Sequence, residues 1–223
     1  HLLSGGNVYH SRKTVPPSNY QHSESLLYVH RNSDHPAPEM VFACVVLPVV
    51  TERFDRPEAG SAYTIMYGVT CPRSRGKLTL QSSNPATPPL IDPNYLSDPY
   101  DREVFLEALD FAQKLGSSSA FDEWRDHEIL PGPDVRTRND KNAFNAQVAF
   151  THHHPVGTCQ MGIGPESVVA PDLAVRGVDN LYVVDASIIP RITTGPINAS
   201  IVAIAERTSD LFLGNTPLQM DIP

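Results

Sequence analysis

The sequence predicts an α+β architecture over residues 7–150, an antiparallel sheet with helices packed on it. Segments of α/β character follow. Three observations lead there. Apolar, β-branched runs separated by turn residues come first, and an amphipathic helical pattern follows them. Near the end, a short apolar run closes on Asp and small residues ahead of a second helix.

Residues 1–60 mix polar loops with one apolar run, residues 40–50, interrupted by Pro48 and read as a strand. Residues 62–70 and 77–81 read as further strands, joined through a turn at residues 72–76. Asp98 offers an N-cap acceptor and Pro99 a first-turn proline for a helix over about residues 99–115. Phe105, Leu109, Ala112 and Leu115 form its buried stripe. Residues 117–142 are polar and read as helix or loop, with Trp124 as a core anchor. Residues 181–184 read as a buried strand ending at Asp185, where small residues let a ligand approach, as at the strand ends of open α/β sheets. Residues 193–198 then lead into a helix with Ile201, Ile204, Ala205, Leu211 and Phe212 on one stripe and Gly214 as its C-terminal cap.

Composition narrows the function classes. At 223 residues, with 40% apolar and 19% charged content, the chain can bury a core. A formal charge of −8 without a basic run argues against nucleic acid or an anionic membrane surface as partner. No apolar stretch approaches the roughly 20 residues a membrane helix needs. Cys44, Cys71 and Cys159 show no disulfide-framework spacing, which favours a reducing, cytoplasmic setting.

The densest chemistry lies at residues 151–162, where His152, His153 and His154 precede Pro155, Gly157 and Thr158. Imidazole exchanges protons near neutrality. Proline disfavours helix at the residue before it, so His154 is expected to be extended. If the extension runs backwards, His152 and His154 share one face and His153 takes the other. Other readings stand beside this one. The histidines can be structural, or His152 and His154 can chelate zinc. The lone nearby Cys159 and the absence of a Cys-x-x-Cys pair weigh against metal, and no metal is expected here.

Several motifs in register resemble the glucose–methanol–choline (GMC) family of FAD-dependent alcohol oxidoreductases. They are His154 with Gly157, Thr158 and Met161, then Val184-Asp185-Ala186-Ser187, then Ala205-Glu206-Arg207. Upstream, residues 72–80 and 89–96 are also similar to family segments. The resemblance covers most of residues 60–213. It implies FAD as cofactor, a substrate domain over residues 7–150, and a return to the FAD-binding domain over residues 151–223. Residues 1–6 would continue from an FAD-binding part of the same protein, since no Gly-x-Gly-x-x-Gly fingerprint occurs here.

The resemblance also implies roles. His154 would take the hydroxyl proton of an alcohol while hydride passes from the carbinol carbon to flavin N5. Asp185, Ala186, Ile197 and Asn198 would contact FAD, and His153, facing away from the other two imidazoles, would brace the segment on the cofactor side. Asp185 and Asn198 also admit plain capping roles. One departure stands out. The family usually has His or Asn eleven residues before the helix Arg, and here that position is Pro196. Proline cannot hydrogen-bond a hydroxyl, so the second polar role is expected from His152, with Pro196 lining the substrate pocket. A structural role for His152 is the alternative. The expected reaction is oxidation of a primary alcohol on an aromatic ring to the aldehyde, with O2 as acceptor and hydrogen peroxide as product. A dehydrogenase with another acceptor, a hydroxynitrile lyase on the same fold, a metal-dependent hydrolase and a non-catalytic module are the rivals.

Overall fold

The computed structural model describes residues 3–17, 22–23 and 25–216. They form two compact units that divide between His152 and His153.

The first unit is built on an antiparallel sheet. Its strands are β1 (Leu3–Ser11), β2 (Leu26–Val29), β3 (Met40–Val45), β4 (Ala62–Val69), β7 (Arg125–Leu130) and β8 (Phe150–Thr151). The order is β2-β3-β4-β1-β7, with β8 also paired to β1. Strands β5 (Lys77–Thr79) and β6 (Leu90–Asp92) make a separate hairpin. Central β1 is buried along almost all of its length and runs without interruption through residue 6. Gly5 has a packing reason: a Cβ there would come within 2.7 Å of the Tyr67 ring and 2.9 Å of Phe105.

Helix α1 (Pro99–Gly116) starts as expected. The Asp98 carboxylate accepts from the Tyr100 N–H, and Pro99 occupies the first turn. Phe105, Leu109 and Ala112 are fully buried, with Leu115 half-buried at the edge of the same core. Tyr67, Phe42, Met40 and Val69 supply the sheet side of that core. Burying one such Phe or Leu contributes about 1.5–3 kcal/mol. Trp124 is half-buried against this core. The buried Asp101 carboxylate accepts from the N–H groups of Arg73 (2.8 Å) and Ser74 (2.7 Å), which fixes the turn at residues 72–76 to the helix.

Three expectations need correction in this unit. The run at residues 40–50 is a strand only to Val45. Beyond it the Thr64 hydroxyl takes over the ladder: it donates to the Leu47 carbonyl (2.7 Å) and accepts from the Val49 N–H (2.8 Å), flanking a proline that has no N–H to offer. The strand expected at residues 77–81 stops at Thr79. The stretch read as helix or loop at 117–142 contains strand β7 and the first residues of α2 (Arg138–Val148). Strand β7 escapes pattern reading because its residues are mostly polar and lie at the sheet edge. Helix α2 opens with a capping box in which the Thr137 hydroxyl accepts from the Asp140 N–H while the Asp140 carboxylate accepts from the Thr137 N–H.

The second unit has little regular structure besides α3 (Asn198–Leu213), which ends at Gly214 with φ +70, as expected. Its core is small: Val169, Leu173, Ile188 and Ile189, with Val183, Val184, Ile201 and Ile204 packed on it. The strand expected at residues 181–184 does not form. A single bridge from Tyr182 to Ala174 stands in its place, and Leu181 and Tyr182 are 48% and 46% exposed. Among the described residues no neighbouring strand offers this run a ladder. The α3 stripe is likewise only partly covered, since Leu211 and Phe212 are exposed and Thr208 is the buried residue of the helix.

Candidate active site

The division between the units falls inside the histidine run, and each imidazole has a distinct local setting. Strand β8 pairs with β1 through Leu3–Thr151 and Ser4–Phe150, and this delivers His152 to the end of the central strand. There the His152 Nδ1 lies 2.7 Å from the hydroxyl of buried Ser4. Tyr95, whose phenol burial pushes above its usual range, hydrogen-bonds Thr151 and so ties the 89–96 segment to β8. His153 has φ +58. A non-glycine residue in the left-handed region carries strain of about 1–3 kcal/mol, and such residues cluster at functional sites. That positive φ corrects one expectation. The extended run breaks at His153, so simple strand alternation does not set the directions of His152 and His154.

His154 belongs to the second unit. Burial, with the neighbouring His153 charge adding to it, holds its pKa below the usual imidazole range. It is therefore neutral at neutral pH and able to accept a proton. The chain then turns at Gly157, where φ is +87. Beyond the turn, the N–H groups of Cys159 and Met161 donate to the carbonyls of Ser187 (3.0 Å) and Ile188 (2.8 Å). This pair of bonds fixes the histidine loop to the turn that holds Asp185 and Ala186. One Asp185 carboxylate oxygen accepts from the Ser187 N–H (2.8 Å) and hydroxyl (2.5 Å), so the capping role read for it is realised.

Pro196 and Asn198 are exposed, and Ile197 between them is buried. Asn198 does not cap α3. The N-cap is Ile197, no side chain caps the helix, and its first turn holds no acid. A helix start without a side-chain cap among the described residues, with its positive dipole end, suits an electron-rich acceptor. This second unit thus fits FAD on its own features: an uncapped helix start, a carboxylate held in a tight turn, and a small Ala186 beside it.

Sequence reading missed Ser4 and Tyr95. Ser4 lies 148 residues from His152 in sequence. No local pattern announces such a pair, and only the β1–β8 pairing makes it.

Comparison with known proteins bears on the family and the fold. A family model described as GMC oxidoreductase matches residues 72–205. The chain is 48% identical to pyridoxine 4-oxidase of Microbacterium luteolum, over 92% of this chain and 41% of that protein. It is 38% identical to an alcohol dehydrogenase [acceptor] of Pseudomonas putida, over 86% of this chain and 34% of that protein. The crystal structure of pyridoxine 4-oxidase from Mesorbium loti superposes with a TM-score of 0.87 at 43% identity, covering 97% of this chain and 43% of that one. Formate oxidase of Aspergillus oryzae RIB40 shares the fold, with a TM-score of 0.83 at 19% identity over 96% of this chain and 46% of that one. The chain therefore spans about two fifths of the length of the first of these relatives. Homologues and structural neighbours are FAD-dependent flavoproteins. The chain belongs to the GMC oxidoreductase family.

Proposed function

We propose that the intact protein carrying this chain oxidises a primary alcohol on an aromatic ring, pyridoxine foremost, to the aldehyde, here pyridoxal. FAD is its cofactor and O2 the acceptor, giving hydrogen peroxide. What carries this reading is His154, an imidazole kept neutral by burial, in a chain 48% identical to a pyridoxine 4-oxidase over 92% of its length. The unit ending at His152 serves as the substrate domain, and residues 153–223 belong with the FAD-binding part.

Bound FAD supplies the acceptor for the hydride that leaves the carbinol carbon. His154 receives the hydroxyl proton at its unprotonated ring nitrogen, a step that typically contributes about 10²–10⁴-fold. Because burial already disfavours its charged form, that proton is held weakly and is readily passed on. His152, with Nδ1 engaged by Ser4, hydrogen-bonds the substrate oxygen through Nε2; the Ser4 contact holds the ring plane. Pro196 offers shape without a hydrogen bond and forms an apolar wall for a flat ring. Asp185, Ala186, Ile197 and Asn198 hold the cofactor, with His153 bracing the loop beside them.

The likeness to an alcohol dehydrogenase [acceptor] favours a second reading in which another oxidant replaces O2. Incubating the intact protein with pyridoxine in air separates the two. Pyridoxal formed with matching O2 uptake is expected, and pyridoxal formed only with an added artificial acceptor selects the dehydrogenase. Turnover of pyridoxine by a His154→Ala variant at the wild-type rate would refute the base assignment.

A further inference from the structure

Strands β1 and β7 run antiparallel with a broken register. Tyr9 faces Glu128 and His10 faces His127, but Ser11 faces Arg125. Asp126 is thus the extra residue of a bulge. In a regular strand, neighbours point to opposite faces, and Asp126 and His127 could not meet one ligand. The bulge lifts that restriction. Asp126 Oδ2 lies 2.9 Å from His127 Nδ1 and 3.4 Å from His10 Nδ1. The two imidazoles stack with centroids 5.2 Å apart and planes 15° from parallel. One ligand atom from each of the three residues lies within 4.8 Å of the others. The His10 Nδ1 is itself buried and makes no hydrogen bond.

We propose that His10, Asp126 and His127 bind a divalent transition-metal ion of the Zn²⁺ type across the β1–β7 bulge. Two imidazoles and one carboxylate make a borderline donor set that suits Zn²⁺, Ni²⁺ or Cu²⁺; Mg²⁺ and Ca²⁺ prefer oxygen cages. Bonds of about 2.0–2.1 Å at a tetrahedral centre set ligand atoms about 3.3 Å apart. The two carboxylate–imidazole separations, 2.9 and 3.4 Å, bracket that spacing. The ion replaces the direct His127–Asp126 contact and draws in the buried His10 Nδ1, which otherwise reaches Asp126 only at 3.4 Å. With side chains 41%, 47% and 62% exposed for His10, Asp126 and His127, the ion enters from solvent and water completes its coordination. The resulting clamp ties the edge strand to β1 where the bulge interrupts their ladder. None of these residues is assigned a part in alcohol oxidation.

Calorimetric titration of Zn²⁺ into the chelator-treated intact protein tests this, with His127→Ala, Asp126→Asn and His154→Ala variants beside the wild type. The wild type is expected to bind Zn²⁺ at this site and to give no response to Mg²⁺. His127→Ala and Asp126→Asn are each expected to weaken Zn²⁺ binding by about tenfold or more. His154→Ala should bind as the wild type does, and His127→Ala should keep its alcohol oxidation. No Zn²⁺ uptake by the wild type at millimolar concentration would overturn the proposal. So would undiminished binding in Asp126→Asn, which would leave the carboxylate without a part. Weakening in His154→Ala with none in His127→Ala would place the ion on the histidine run and overturn it equally.

Discussion

The two units differ in how they satisfy their own chemistry. In the first, α1 covers a sheet whose central strand is almost wholly buried, and its aromatic and aliphatic core closes within residues 3–149. The second gathers Val169, Leu173, Ile188 and Ile189 into one small cluster and leaves Leu181, Tyr182, Leu211, Phe212 and Leu213 at the surface. Outside α3 its backbone bonds run between loops, such as Cys159 to Ser187 and Met161 to Ile188. The contrast separates two uses of sequence. One stretch spends its residues on a core, and the other spends them on holding a few turns in register around His154 and Asp185.

Substitutions can break or sharpen that contrast. The largest effect is expected from Phe105→Ala, which removes a fully buried ring between α1 and Tyr67 and should cost about 3–5 kcal/mol in denaturant unfolding. Asp101→Asn comes next. The amide keeps one acceptor but turns a donor toward either the Arg73 or the Ser74 N–H, and about 1–3 kcal/mol of stability should go. Thr137→Ala removes half of the capping box and should cost about 1 kcal/mol, with the loss confined to α2 in hydrogen exchange. Leu211→Ala in the second unit should change the stability of this 223-residue chain by less than about 0.5 kcal/mol, because that side chain is 52% exposed. A Leu211→Ala cost equal to that of Phe105→Ala would erase the distinction between the units.

Legibility in the sequence follows the same division. Helix α1 could be read from Asp98, Pro99 and a four-residue apolar stripe, because its cap and its buried face are local properties. Strand β4 could be read for the same reason, being apolar and continuous. Strand β7 was hidden because an edge strand with one partner tolerates Arg, Asp, His and Glu. The apolar run at residues 181–184 misled in the opposite direction, since apolar residues without a neighbouring strand do not make a ladder. Within the site, His154 and the Asp185 turn lay in motifs that could be quoted residue by residue. The left-handed backbone at His153 could not, because nothing in a run of three imidazoles marks which one takes φ +58. The bond from His152 to Ser4 depends on strand pairing across most of the chain and leaves no local trace.

The pH dependence of kcat/KM for pyridoxine in the intact protein, wild type against His154→Ala, tests the role of His154 most directly. Burial lowers the His154 pKa, so the neutral, proton-accepting form persists further into acid than an ordinary imidazole with a pKa of about 6.5. The expected wild-type profile rises with pH through an apparent pKa below that value and is flat above it. In His154→Ala the rate should fall by about 10²–10⁴-fold and lose that acid limb. An acid limb that survives unchanged in His154→Ala, or a rate that barely falls, would contradict the assignment of His154 as the base.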